Sequence, residues 1–110
     1  MPKEALSSLT EPMYYVLLSL SEPLCGIEIM DRVKELSRGR LTIGPGTLYT
    51  MLAKFEENGL IVPVTGPLTD SGKRKRYAIT RLGADMLRAE YRRLLQCIED
   101  GKEIIEWAGS

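Results

Sequence analysis

Gly44-Pro45-Gly46-Thr47-Leu48-Tyr49-Thr50-Met51-Leu52-Ala53-Lys54-Phe55-Glu56-Glu57-Asn58-Gly59-Leu60 reads as one helix with both of its ends written into it. Gly44 stands at the cap and Pro45 at the first helical position, where a missing N–H costs nothing. Leu48, Met51, Leu52 and Phe55 recur at spacings of three and four, the stripe of a helix buried on one side. Asn58-Gly59 supplies a left-handed stop, after which Leu60 is expected to fold back on Phe55. Opposite the stripe lie Gly46, Thr50 and Ala53, flanked by Thr47, Tyr49 and Lys54, with no acid before Glu56. A face that is slim, hydroxyl-bearing and basic suits entry into the major groove of DNA.

Two helices are expected upstream. Thr10 with Glu11 and Pro12 forms a helix entry, and Met13, Val16, Leu17 and Leu20 follow as an apolar stripe with Tyr14 and Leu18 on a second flank. Ser21-Glu22-Pro23 ends that helix. The next spans about 26–37, with Ile29, Met30, Val33 and Leu36 inward and Gly39 closing it. Downstream, a strand over 60–65, a loop with Gly66, Pro67, Asp70 and Gly72, and a strand over 76–80 make a hairpin, in which Pro63 suits an edge. A two-stranded hairpin does not stand alone, so it must pack on the helices. Thr80 then caps a last helix that runs to about Trp107.

Helix, helix, turn, helix and hairpin in that order predict a winged helix-turn-helix, mainly α with a small β-hairpin, plus a long C-terminal dimerisation helix. Residues 1–80 form the DNA-binding region and 81–110 the dimerisation helix, packed on the same single domain. The length of 110 residues and the 44% apolar content fit one globular unit.

Net charge is zero, yet the distribution is uneven. Residues 36–55 carry Arg38, Arg40 and Lys54 with no acid, and residues 71–81 carry Lys73, Arg74, Lys75, Arg76 and Arg81 with no acid. A phosphate backbone responds to local charge density, and a basic hairpin tip beside Gly72 can lie along it. The predicted DNA contacts are therefore Thr47, Tyr49, Thr50, Lys54, Lys73, Arg74, Lys75, Arg76 and Arg40, on a double-stranded, pseudo-palindromic operator.

The last helix holds Ala84, Leu87, Tyr91, Leu94, Ile98, Gly101, Ile105 and Ala108 at alternating spacings of three and four. That is a heptad seam suited to a second copy of the chain, with Leu87, Tyr91, Leu94, Ile98 and Ile105 as interface residues. The first three helices and the hairpin are expected to close a core by themselves, which leaves the seam to the partner.

Catalysis is disfavoured. The chain has no histidine, so histidine general bases, histidine-ligated metals and serine-histidine triads are excluded. Gly44-Pro45-Gly46 lacks the Lys-Ser/Thr of a phosphate loop. Cys25 and Cys97 form no CxxC pair and read as small hydrophobes of a reduced, cytoplasmic protein. No cofactor, metal or membrane partner is expected, and no run of 18 apolar residues exists to span a bilayer. The competing reading is a winged-helix module that binds protein or RNA without operator specificity, which a steep salt dependence of duplex binding would separate.

EPMYYVLLSLSEPLCGIEIMDRV, GPGTLYTMLAKFEENGLI and GKRKRYAITRLG together resemble successive motifs of the PadR-type transcriptional regulators. The resemblance covers about residues 10–95, and Gly46-Thr47-Leu48-Tyr49 with Gly59-Leu60-Ile61 is its most specific part. With a single C-terminal helix, the chain is similar to the compact subgroup. The resemblance implies a dimeric repressor whose last helix packs against the partner's first helix, and it implies that Thr47, Tyr49 and Lys54 face DNA. It also implies that an aromatic or drug-like effector can bind at the dimer interface. Tyr14, Tyr15 and Leu18, facing Leu94, Cys97 and Ile98 of the partner, are aromatic and apolar without a fixed charge, which suits either a flat, apolar ligand or simple filling of the interface. One departure is that Cys25-Gly26-Ile27 stands where aromatics commonly flank the glycine.

Overall fold

In a computed structural model, which describes residues 8–64 and 75–109, the order of elements is α1 (Glu11–Ser19), β1 (Leu24–Cys25), α2 (Gly26–Leu36), α3 (Pro45–Glu57), β2 (Ile61–Val64), β3 (Arg76–Ile79) and α4 (Arg81–Ala108). The helices start where their caps predict. The Thr10 hydroxyl accepts the Met13 N–H at 3.4 Å, and Pro45 occupies the first turn of α3 behind Gly44. The core is a cluster of apolar residues from α1, α2, α3 and the sheet, with Val16, Leu17, Ile29, Val33, Leu48, Leu52 and Phe55 essentially closed to solvent. Leu36, expected inward, is exposed as the last residue of α2.

The stop of α3 follows its sequence. Gly59 has φ +75°, the Gly59 N–H donates to the Glu56 carbonyl at 3.1 Å, and the Leu60 N–H donates to the Phe55 carbonyl at 2.9 Å. This paired closure brings Leu60 beside Phe55 in the core. At the end of α2 the same pattern falls one residue earlier than expected. Arg38, not Gly39, takes the first left-handed position (φ 56°), and Gly39 (φ +80°) follows it.

The sheet has three strands in the order β1-β3-β2, both pairings antiparallel. The sequence predicts only the hairpin. The extra strand is the two-residue Leu24–Cys25 segment, paired Leu24↔Tyr77 and Cys25↔Arg76. Two residues are too short for an alternating pattern to register. β2 is an edge strand, as Pro63 requires.

α4 begins by resting on the corner between α3 and β2. The Thr80 hydroxyl donates to the Gly59 carbonyl at 2.6 Å and accepts the Gly83 N–H at 3.0 Å, while the Thr80 N–H donates to the Leu60 carbonyl at 2.9 Å. Gly83 is buried against that corner, and a Cβ there would overlap the Leu60 carbonyl oxygen and lie 2.8 Å from Ile79 Cγ1. Since the obstruction is backbone, it cannot be relieved by a side-chain rotation. Gly83→Ala should therefore cost about 2–3 kcal/mol of stability. Gly101→Ala, whose added Cβ meets only Ile105 Cγ1 at 3.9 Å, should instead gain about 0.5–1 kcal/mol from helix propensity. Urea unfolding midpoints of the two variants check both signs.

Candidate nucleic-acid interface

With its stripe buried in the core, α3 turns Gly46, Thr47, Tyr49, Thr50, Ala53 and Lys54 to the exterior, and all six are exposed. The Thr50 hydroxyl donates to the Gly46 carbonyl at 3.0 Å, which leaves the hydroxyl oxygen available as an acceptor. An open groove lies along this face between Thr47, Thr50 and Lys54 on α3 and Met13 on α1. The apolar spacing of α1 places Met13 in the core because it opens the stripe. It is only partly buried, and its place as the first member of that stripe, at the helix end, is the available signal.

The predicted basic residues divide. Lys73 and Arg74 lie outside the described residues. Lys75 sits over the Tyr77 ring, 5.4 Å from its centroid, with its ammonium 3.6 Å from Glu56. Arg40 is turned toward α1, donating to the Tyr15 hydroxyl at 2.8 Å and standing 3.5 Å from Glu11. Both pairs are exposed, and such pairs contribute under about 1 kcal/mol, so exchanging a carboxylate for a phosphate costs these two cations little.

Arg76 is held more firmly. Its guanidinium donates to the Glu28 carboxylate at 2.8 Å, and the same oxygen accepts the Cys25 backbone N–H at 2.9 Å. One carboxylate thus caps α2 and ties it to β3. The hydrogen bonds from the Cys25 backbone and thiol, followed by the Arg76 guanidinium, outweigh the cost of burial and hold the Glu28 carboxyl below the usual carboxylate range. This link was missed from the sequence, although Cys25-x-x-Glu28 has the spacing of a capping box with a thiol in place of the usual hydroxyl.

The seam of α4 is only partly free. Leu87 packs on the chain's own core, which corrects the expectation that no intrachain partner covers it, because the first turns of α4 lie on the α3–β2 corner and beside α1. Leu94 is half-buried and lines a small cleft with Tyr14 and Tyr15. The other seam positions are open on either side of Leu94, with Tyr91 57%, Ile98 65% and Ile105 70% exposed. The cleft brings together Tyr14, Tyr15 and Leu94 but not Leu18, Cys97 or Ile98, and it also contains Glu90 and Arg93. Glu90 is buried, gripped by two Arg93 bonds at 2.9 and 2.6 Å, and that hydrogen bonding holds its carboxyl below the usual range. Burial, with Tyr91, Tyr15 and Glu90 nearby, pushes the Tyr14 phenol up. Among the described residues there is no cluster of side chains able to hold a metal ion, and no helix long and apolar enough to cross a membrane.

The profile described as the Transcriptional regulator PadR-like family matches residues 16–89. A protein of Lysinibacillus sphaericus described as uncharacterized is 32% identical over 89 residues, covering 81% of this chain and 78% of its own length. Among solved structures, a PadR family transcription regulator from Clostridium difficile is 22% identical with a TM-score of 0.76, covering 87% of this chain and 99% of that one. Bacillus subtilis PadR in complex with operator DNA is 24% identical with a TM-score of 0.60, covering 70% of this chain and 44% of that one. At these identities the two structures establish a shared fold.

Because the Glu28 pKa in the folded chain lies below the ordinary 4.5 of a glutamate, the stability it contributes is complete above that value and is lost as the pH falls through the folded pKa. Glu28→Gln should be less stable than the parent at pH 7, and the gap should close as the pH drops below 4.5. Thermal melts of both proteins across an acid series measure this.

Proposed function

Because this chain belongs to the PadR-like family of transcriptional regulators, and is thus a DNA-binding regulator rather than an enzyme, we propose that it acts as a homodimeric repressor that lays α3 in the major groove of a pseudo-palindromic operator. The observation that carries this reading is the outward face of α3, where Gly46, Thr47, Tyr49, Thr50, Ala53 and Lys54 are exposed together and no acid interrupts them. Thr47, Thr50 and Lys54 have the size and hydrogen-bonding groups to reach base edges, and Tyr49 can reach either a base or a phosphate. Lys73 and Arg74 supply sequence-independent attraction, with Lys75 and Arg40 joining by exchange of their exposed carboxylate partners. Arg76 contributes chiefly by fixing the root of the wing.

Dimerisation is supported by the open half of the α4 seam. Tyr91, Ile98 and Ile105 are too exposed and too regularly spaced for a helix meant to face water. A two-fold pair would present two α3 helices to successive major grooves about 34 Å apart. Release of the operator by an aromatic or drug-like effector belongs to the same proposal. The cleft inside one chain measures about 190 Å³, below the roughly 300 Å³ at which drug-sized pockets begin. The effector site therefore requires Tyr14, Tyr15 and Leu18 to be joined by Leu94, Cys97 and Ile98 of a second copy.

Ile98→Glu leaves the chain's own core untouched, since Ile98 is exposed, and should convert the dimer to a folded monomer with weakened operator binding. Sedimentation velocity with circular dichroism reads both parts, and a folded dimer would refute the seam. Replacing Lys73 and Arg74 with Ala should weaken binding to every duplex and flatten the slope of log affinity against log salt by about 0.9 for each phosphate no longer neutralised. Thr50→Ala should instead shift preference among duplex sequences, measured by competition binding.

A further inference from the structure

Gly26 opens α2 directly after β1 and is buried although its own backbone needs no glycine. Gly39 and Gly59 carry positive φ among the described residues, and Gly26 does not. An ordinary L-residue could take its place in a first helical turn, and alanine would favour the helix. The reason for glycine is therefore the space beside it. A Cβ built there would lie 2.9 Å from Cζ and 3.4 Å from Cε1 of Tyr49, and closer still to the phenol oxygen. The ring of Tyr49, projecting from α3, thus rests on the bare backbone at the start of α2.

The two sides of this contact are not equally free to move. The backbone at position 26 is fixed on its N-terminal side by the Cys25↔Arg76 pairing of β1 with β3. It is fixed again by Glu28, whose carboxylate accepts both the Cys25 N–H at 2.9 Å and the Arg76 guanidinium at 2.8 Å. Tyr49 is 50% exposed and swings on two side-chain torsions. An added methyl at 26 would therefore displace the tyrosine and not the helix.

We propose that Gly26 is a positioning residue for DNA binding, whose missing side chain seats the Tyr49 phenol at the edge of α3 where it meets the duplex. The inference rests on the reading of Tyr49 as a DNA-facing residue. It adds that the direction of that side chain is set from α2, by a position that touches no nucleic acid itself. Because Cys25 and Arg76 fix position 26, the seat of Tyr49 is also tied to the root of the wing.

The test uses the full chain and a duplex selected from a random pool by the parent protein. Gly26→Ala should bind that duplex about tenfold more weakly, the loss of one hydrogen bond to a charged or polar partner, while melting at the parent temperature or slightly above it. Tyr49→Ala should lose a similar factor, and adding Gly26→Ala to Tyr49→Ala should cost nothing further. Parent-like affinity in Gly26→Ala, beside a weakened Tyr49→Ala, would overturn the inference and leave the DNA role of Tyr49 standing. Parent-like affinity in Tyr49→Ala would remove that role and the inference with it. Additive losses in the double variant, or a fall of several degrees in the Gly26→Ala melting temperature, would show that something other than Tyr49 moved and would also overturn it.

Discussion

The first turn of α4 lies on the corner where α3 ends and β2 begins, with Gly83 pressed to the Leu60 carbonyl and Thr80 bonded to Gly59, Leu60 and Gly83. Three parts of the molecule meet at that point. The left-handed stop of α3 sets where β2 starts, β3 returns from the wing to Thr80, and α4 departs from the same residue. A displacement here would tilt the long helix, shift the wing and loosen the end of α3 together. The corner permits this density because its donors and acceptors are satisfied by one another and its one close backbone approach is made by a residue without a side chain.

Electrostatics add a second fastening at the opposite end of the sheet. Glu28 gathers the Cys25 N–H and the Arg76 guanidinium on one oxygen, so the start of α2 and the root of the wing are fixed together. The basic residues near the wing consequently serve two ends. Arg76 is used inside the fold, whereas Lys75 lies over the Tyr77 ring and makes an exposed pair with Glu56. A zero net charge is compatible with a DNA-binding protein under this arrangement, because acids are used where they organise cations and the outward face of α3 carries none from Gly46 to Lys54, Glu57 entering only at its last turn.

Much of this was readable in the residues themselves. α3 was the clearest, since its cap, stripe and stop are all local and agree with one another. The order of elements and the long last helix followed for the same reason. What escaped the sequence depends on contacts distant in the chain. β1 exists only because β3 lies beside it, Arg76 finds Glu28 across 48 positions, and Leu87 packs inward because the corner steers α4 over its own domain. Charge alone suggested that Arg40 and Arg76 were both free for phosphate, and only the packing showed which acids stand beside them. The heptad spacing in α4 likewise marked an apolar seam without indicating where the chain's own core stops covering it.

α4 has 28 residues, and at 1.5 Å of rise each its tip stands about 42 Å from the corner that anchors it. That length makes the helix a long arm on a short hub. A sideways error of about 1 Å at the tip corresponds to a rotation of only about 1.4° at the hub over such an arm. Whatever grips the far end of α4 would therefore act on the bearing of α3 through a long lever, with a fine angular tolerance.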